Sequence, residues 1–181
     1  MKAGGVALAA SLACAAVVAA QPRVNPQAAA VDEFLHRVTA YVELAKTATD
    51  SLPPLKRTDD PGEIASREVA LGEAIRAARA GARPGDILTR DAARGFRKII
   101  KRDFRERTRG GQKVMRDDIP HFRPKVNMTY PSAWPLATFP ATLLAAMPAL
   151  PAGLEYRLLS DALILRDAKA NIIVDFMLDV F

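Results

Sequence analysis

The sequence predicts an α+β fold in which three N-terminal helices pack on a small C-terminal antiparallel β-meander. Apolar residues recur every three or four positions upstream of Thr108, which is typical of helices with one buried face. From Leu154 to Leu158 apolar residues alternate with Glu155 and Arg157, and Leu163 and Leu165 alternate with Ile164 and Arg166, a period of two that is typical of strands with one buried face. Between these segments, seven of the 13 prolines lie from Pro120 to Pro151 and favour extended chain over helix.

The first twenty residues have the pattern of an export signal. Lys2 supplies a positive charge, the segment from Val6 to Val18 is apolar, and small residues precede a cleavage site before Gln21. A chain of 181 residues favours a single domain. We therefore expect a periplasmic or secreted protein with a signal peptide at 1–20, a flexible lead-in at 21–30 and one α+β domain at 31–181.

The only cysteine, Cys14, lies within that signal. A lipoprotein signal would leave Cys14 at the new N-terminus, but the residues from Ser11 to Ala13 lack the large apolar side chain expected three places before it. We favour ordinary cleavage, with lipidation and an uncleaved anchor as the alternatives. After ordinary cleavage the chain has no cysteine, so it is predicted to fold on its apolar core alone, without a disulfide. No transmembrane helix is expected in the mature chain.

Helix start and stop signals define the first two helices. The apolar spacing predicts a first helix from about Ala28 to Asp50, which the following Pro-Pro pair ends. Asp60 can cap a second helix with Pro61 at its first position. Gly81 is predicted to end this helix.

A third helix is predicted from a cap at Thr89 to roughly Thr108, with the Gly110-Gly111 pair ending it. Phe96 and Ile100 lie on its inward side at helical spacing. Its opposite face is basic: from Arg90 to Arg116 there are eleven Lys or Arg and three acidic residues, a local net charge of +8, although the whole chain carries only +6. The basic character of the protein therefore belongs to one segment.

Six cations of this helix form a candidate anion-binding surface: Arg90, Arg94, Arg97, Lys98, Lys101 and Arg105. Such a face suits phospholipid head groups or other polyanions of a cell envelope. The alternative is a solvated face that keeps an exported protein soluble. Nucleic acid is not expected, because the protein is predicted to be exported and no aromatic residues alternate with the cations to stack on bases.

Downstream, the sequence predicts mostly extended chain before the meander. A strand is predicted at 126–130 and a short helix at 138–147 with Pro140 in its first turn. The meander begins at Leu154, turns at Ser160-Asp161 and turns again over 167–171. We expect Tyr156, Leu163 and Leu165 to face the helices.

Two small acidic and histidine clusters are candidate metal sites. Asp117, Asp118 and His121 lie close together in sequence, and carboxylate with imidazole can bind zinc or another divalent ion, although the spacing matches no established ligand pattern. Asp32 and His36 are four residues apart and share a side of the first helix. Loop polarity and an exposed salt-linked pair are the respective alternatives.

No stretch of the sequence carries a catalytic signature. The chain has no glycine-rich phosphate loop, no Gly-x-Ser-x-Gly elbow and no His-Glu-x-x-His. We therefore name no catalytic residue, expect no cofactor, and favour binding over catalysis. A hydrolase-like site near His121 stays open as the alternative, together with a metal-binding accessory role.

Two stretches resemble known families. Glu68 to Phe96, with Ala-Ile-Arg-Ala-Ala-Arg-Ala-Gly-Ala at 74–82 and Gly-Asp-Ile at 85–87, resembles a group of exported bacterial proteins of unknown function, and patterns at Tyr130-Pro131 and from Leu154 to Arg157 extend the resemblance. This resemblance implies export but no activity. The segment from Tyr156 to Asp175 is similar to the small sheet of periplasmic nickel/cobalt-homeostasis accessory proteins, but no metal-binding residue can be carried over from them to this chain.

The leading expectation is a non-catalytic binding or interaction module of the bacterial envelope. Its binding surface is predicted to be either the basic helical face or the apolar proline-rich segment, and its partner an anionic envelope component or a protein. The sequence does not predict an oligomeric state.

Overall fold

The computed structural model describes residues 25–54 and 57–181. Within these ranges five helices precede three strands: α1 (Pro26–Asp50), α2 (Pro61–Ala78), α3 (Arg90–Glu106), α4 (Arg109–Asp117), α5 (Ala141–Ala146), β1 (Leu154–Leu159), β2 (Ala162–Asp167) and β3 (Ile172–Met177). The strands form one antiparallel sheet in the order β1-β2-β3, so the predicted α+β class is confirmed. The predicted signal peptide and residues 21–24 of the lead-in lie outside the described residues, whereas residues 26–30 of that lead-in belong to α1.

Side-chain caps set the starts of the first four helices. Asn25, Asp60, Thr89 and Thr108 each accept a hydrogen bond from a backbone N–H of the first turn. Helix α1 begins two residues before the predicted start because Asn25 provides this cap. The C-cap of α2 is Arg79, not the predicted Gly81.

The Gly110-Gly111 pair lies inside a helix instead of ending one. Helix α3 ends at Glu106, and Thr108 then caps α4, whose first turn contains both glycines. Thr108 Oγ1 accepts a hydrogen bond from the Gly111 N–H at 3.2 Å. A cap of this kind contributes about 1 kcal/mol, similar to the cost of one helical glycine. The prediction of a break at the glycines is therefore wrong.

The sheet is a regular meander with one irregularity. Leu159 pairs with Ala162 across the two-residue turn, as predicted, and Ser160 in that turn has a φ of 52°. Between β2 and β3 the register shifts after Leu165, which leaves Val174 unpaired in the ladder. The Val174 carbonyl accepts a hydrogen bond from Arg79 Nη2 at 3.0 Å. The bulge thus frees a backbone acceptor for the end of α2.

Both faces of the sheet are covered, whereas the sequence predicted one buried face. Tyr156, Leu163 and Leu165 belong to the main core together with side chains of the helices, as predicted. On the other face, Ile164 and Ile173 lie in a smaller cluster that includes Tyr130, with Phe122 packed against it. The proline-rich segment therefore forms the second cover of the sheet.

The segment from Val126 to Tyr130 forms an isolated bridge in place of the predicted strand. Thr129 bridges Ile172, and the Tyr130 N–H donates to the Asn171 carbonyl at 2.9 Å. Asn127 has a φ of 63°, in the left-handed region, which interrupts the extended backbone. The segment follows the edge of β3 without becoming a regular fourth strand. Helix α5 is also shorter than predicted, with Pro140 at its N-cap.

The helical side of the core is centred on three aromatic rings. Phe34 of α1 and Phe96 of α3 meet edge to face at a centroid distance of 5.1 Å, and Tyr156 of β1 lies 6.4 Å from each. All three rings are buried. Among the described residues, no helix is long and apolar enough to span a bilayer.

Candidate functional site

The start of α3 is fixed by a buried carboxylate on the sheet. Asp175 of β3 is fully buried, and its Oδ2 accepts hydrogen bonds from the N–H groups of Ile87 and Leu88, each at 2.7 Å. Its Oδ1 accepts from the N–H groups of Gly85 at 2.9 Å and Phe176 at 2.8 Å. The loop that leads into α3 is thus held to β3 by hydrogen bonds to a charged acceptor, which are stronger than neutral ones.

One face of α3 is buried in the core. Ala92, Ala93, Phe96, Ile100 and Phe104 are buried at helical spacing, and Ile99 is half-buried. Phe104 also meets Phe181 at a centroid distance of 5.1 Å, so the C-terminal residues pack along this helix. The apolar face therefore anchors α3 together with the Asp175 hydrogen bonds at its start, and this anchoring requires no ion pair from the cations opposite.

The six predicted anion-binding cations all lie on the outer side of α3. Arg90, Arg94, Lys98 and Arg105 are exposed, whereas Arg97 and Lys101 are half-buried. Arg94 pairs with Asp91 at 3.0 Å, and Arg97 Nε donates to the Leu178 carbonyl at 2.8 Å. In the described part of the chain, none of the other four has a carboxylate partner, so the surface keeps a strong positive potential.

One further cation of α3, Arg102, belongs to this surface, and α4 carries two more exposed cations. Arg102 is exposed and follows Lys98 by four residues, a spacing that the sequence already showed. Arg109 and Arg116 of α4 are exposed as well, and the Arg116 guanidinium lies 4.7 Å from the centroid of the Phe104 ring. Arg107 instead has a structural role, because it bridges Asp103 at 2.7 Å and Thr142 at 3.0 Å and so joins α3 to the start of α5. We call Arg90, Arg94, Arg97, Lys98, Lys101, Arg102 and Arg105 the basic face.

A second polar cluster is buried between α1, α2 and the sheet. Arg79 donates to Asn127 Oδ1 at 2.8 Å and stacks over the Tyr41 ring at 5.2 Å. The Tyr41 hydroxyl donates to Asp167 Oδ2 at 2.8 Å. Burial, with the neighbouring Asp167 carboxylate, raises the pKa of Tyr41, and burial lowers the pKa of Arg79. Sequence patterns gave no sign of this cluster, since its members lie far apart in the chain.

Tyr41 and Asp167 also line a cavity of about 200 Å³ between α1 and the start of β1. Both Asp167 oxygens are already used: Oδ2 by Tyr41, and Oδ1 by the N–H groups of Lys169 and Ala170. Lys46 at the rim pairs with Asp50 at 2.7 Å. The polar groups of this cavity thus bind one another, which is the arrangement of a structural cluster.

Of the three residues predicted as a metal site, Asp117, Asp118 and His121, only two lie in the same pocket. Asp117 and His121 line one shallow surface pocket with Ser160 and Asp161, whereas Asp118 does not line it. Asp117 is ion-paired with Lys113, and the Ser160 hydroxyl donates to the Phe122 carbonyl at 3.2 Å. Within 25–54 and 57–181, no three His, Cys, Asp or Glu side chains are grouped so as to hold a metal ion.

The same pocket is where the alternative of a hydrolase-like site near His121 would lie. A serine nucleophile requires a hydrogen bond to its base, and a base needs a third group to orient it. Among the described side chains, no hydrogen bond joins Ser160 to His121. His36 and Asp32 line a separate open groove on α1. Neither histidine is therefore placed as a general base by its neighbours.

Comparison with protein-family models, with curated proteins and with solved structures found no match. The resemblances to exported bacterial proteins of unknown function and to nickel/cobalt accessory proteins therefore stay expectations from the sequence.

Proposed function

We propose that this protein is an exported, non-catalytic binding module of the bacterial envelope whose basic face binds the phosphate-bearing surface of an anionic membrane. The proposal depends on the observation that the two faces of α3 differ: one packs in the core and the other is cationic. Its inner face packs on Phe34 and the sheet, while its outer face presents seven cations, of which Arg94 alone is paired with a carboxylate in the described part of the chain.

Electrostatics favours such an interaction over one with a neutral surface. Each Lys or Arg held near an anionic membrane contributes about 1 kcal/mol of attraction, which falls off over a screening length of about 8 Å at physiological salt. The cations of the basic face share one rigid helix, so they can approach a planar surface together. Leu178, whose carbonyl accepts the hydrogen bond from Arg97, is an apolar residue that is 39% exposed.

The proline-rich segment is the less suitable of the two surfaces predicted from the sequence. Tyr130 is buried on the sheet, and Phe122 meets it edge to face at a centroid distance of 5.4 Å. Trp134 and Leu136 are partly exposed, at 40% and 43%. Part of the apolar surface of this segment thus stabilises the fold, and the exposed side chains of Trp134 and Leu136 carry no charge that would select an anionic partner.

Sedimentation with vesicles tests the proposal. The protein should bind vesicles that contain phosphatidylglycerol, bind neutral phosphatidylcholine vesicles weakly, and dissociate as salt is raised. Binding that is equal for both lipids and insensitive to salt would contradict it. Binding to a soluble envelope polyanion, but not to vesicles, would assign the basic face to a different partner.

Export is tested separately. When the full chain is produced in a bacterium, we expect it in the periplasm or the medium with Gln21 at its N-terminus, because the apolar segment ends in small residues suited to signal cleavage. N-terminal sequencing measures this directly. Met1 on the exported protein would refute cleavage, and an acylated Cys14 would establish a lipoprotein instead.

A further inference from the structure

An apolar cleft lies on the flank of α3, next to the basic face. It has a volume of about 250 Å³ and is lined by α1, α3 and the end of α5. Val31, Phe96, Ile99 and Met147 provide its larger side chains, and the rest of the lining is mostly small. A cleft with these walls favours a narrow hydrocarbon chain, because binding removes the apolar surface of both the chain and the cleft from water.

The positive charge beside the cleft indicates that the hydrocarbon chain carries an anionic head group. Residues three and four apart are neighbours on a helix surface, so Lys98 adjoins Gly95 and Arg102 adjoins Ile99, both of which line the cleft. Lys98 and Arg102 are exposed and have no carboxylate partner among the described residues. Asp91 at the same cleft is paired with Arg94 at 3.0 Å, which reduces its repulsion of an anion.

We propose that this cleft takes one acyl chain of a phosphate-bearing membrane lipid, while Lys98 and Arg102 bind the phosphate. This proposal rests on the proposed function. It goes further because the protein would bind a hydrocarbon chain of the lipid as well as its head group. The chain enters between α1 and α3, where Gly95 leaves the wall open: a Cβ at this position would meet no atom within 4 Å.

Alkyl phosphates test the chain-binding step without a membrane. Calorimetry on the full chain should show binding of octyl, decyl and dodecyl phosphate below their micelle concentrations. Affinity should rise about fourfold for each methylene that enters the cleft. Inorganic phosphate, which has the charge but no chain, should bind far more weakly.

The Gly95→Leu variant tests the location. Its side chain has room, so the variant should fold, and it should fill the cleft and weaken dodecyl phosphate binding by about tenfold, equivalent to losing some two methylenes of burial. Gly110→Leu is the matched control, because Gly110 is also helical and open but lies outside the cleft lining. This control should bind as the wild type does.

The outcomes separate the cleft from the basic face. Equal affinity for all three alkyl phosphates would overturn the cleft proposal, and so would unchanged dodecyl phosphate binding by Gly95→Leu. In either case, salt-dependent binding to vesicles would still support the proposed function. Chain-length dependence without vesicle binding would instead contradict the proposed function. If the wild type self-associated, Gly95→Leu abolished that association and no chain-length dependence were seen, the cleft would be an interface between two copies, which also overturns the proposal.

Discussion

Asp175 Oδ2 accepts a hydrogen bond from the Leu88 N–H at 2.7 Å, in a fully buried contact between β3 and the residue before the N-cap of α3. The same oxygen accepts from Ile87, and Oδ1 accepts from Gly85. One strand residue therefore holds the loop that leads into the basic helix, whose N-cap is Thr89. The orientation of the basic face depends on this carboxylate and on the apolar packing of α3.

Removing that carboxylate should destabilise the fold strongly. Asp175→Ala leaves the buried N–H groups of Ile87 and Leu88 without an acceptor, and each such group costs about 1–3 kcal/mol. We expect a loss of about 3 kcal/mol or more in a urea melt. Asp59→Ala, an exposed aspartate, is the control and should change stability by less than about 0.5 kcal/mol. Equal stability of the two variants would show that Asp175 does not hold the loop.

Leu163 tests the register of the meander. It is fully buried on the helix side of β2, so Leu163→Ala should lower the free energy of unfolding by about 2–5 kcal/mol. Leu136→Ala, at a position that is 43% exposed in the proline-rich segment, should cost much less. A loss below about 0.5 kcal/mol at Leu163 would contradict its placement in the core.

The elements that local patterns describe well were predictable from the sequence. Caps at Asp60 and Thr89, and the turn at Ser160, depend on residues within a few positions of each other, and the structure confirms all three. The Gly110-Gly111 pair shows the limit of this reasoning. A glycine lowers helix propensity wherever it lies, but the Thr108 cap decides where the helix starts.

The contacts that cross the fold could not be predicted. Asp175 lies in an apolar strand, and its acceptor role depends on N–H groups that are 87 to 90 residues earlier in the chain. The cleft beside α3 is set by the way three helices meet, which periodicity does not encode. Within the basic face, by contrast, Arg102 could have been found from its spacing to Lys98.

Alkaline pH should reveal the burial of the tyrosines. All three tyrosines of the sequence, Tyr41, Tyr130 and Tyr156, have their pKa raised above 10.0, with burial as the largest cause. Their contribution to stability is therefore fully present below pH 10.0, the unfolded value, and is lost as the pH rises toward the folded pKa values. Phenolate absorbance should stay absent at pH 10.0 and appear together with unfolding.

Circular dichroism on the same samples is the control for this titration. Tyrosine ionisation near pH 10.0 in a protein that kept its helical signal would contradict the burial of these rings. Ionisation that coincides with loss of the helical signal is the expected result.

The most direct test of membrane binding through α3 reverses the charge of the basic face. Arg90, Lys98, Lys101 and Arg102 make no side-chain hydrogen bond or ion pair in the part of the chain that the structure describes, so changing all four to Glu should leave the fold intact. A control variant carries Glu at four other exposed cations, Arg57, Arg83, Arg123 and Lys125, and has the same net charge. Both should keep the circular dichroism of the wild type.

Binding to phosphatidylglycerol vesicles at physiological salt is the deciding measurement. We expect the basic-face variant to lose binding almost completely, because four cations that each contribute about 1 kcal/mol become repulsive. The control variant should bind less tightly than the wild type but remain bound, since the basic face is intact. Equal loss in both variants would show that net charge, and not the face of α3, governs binding, and would contradict the account.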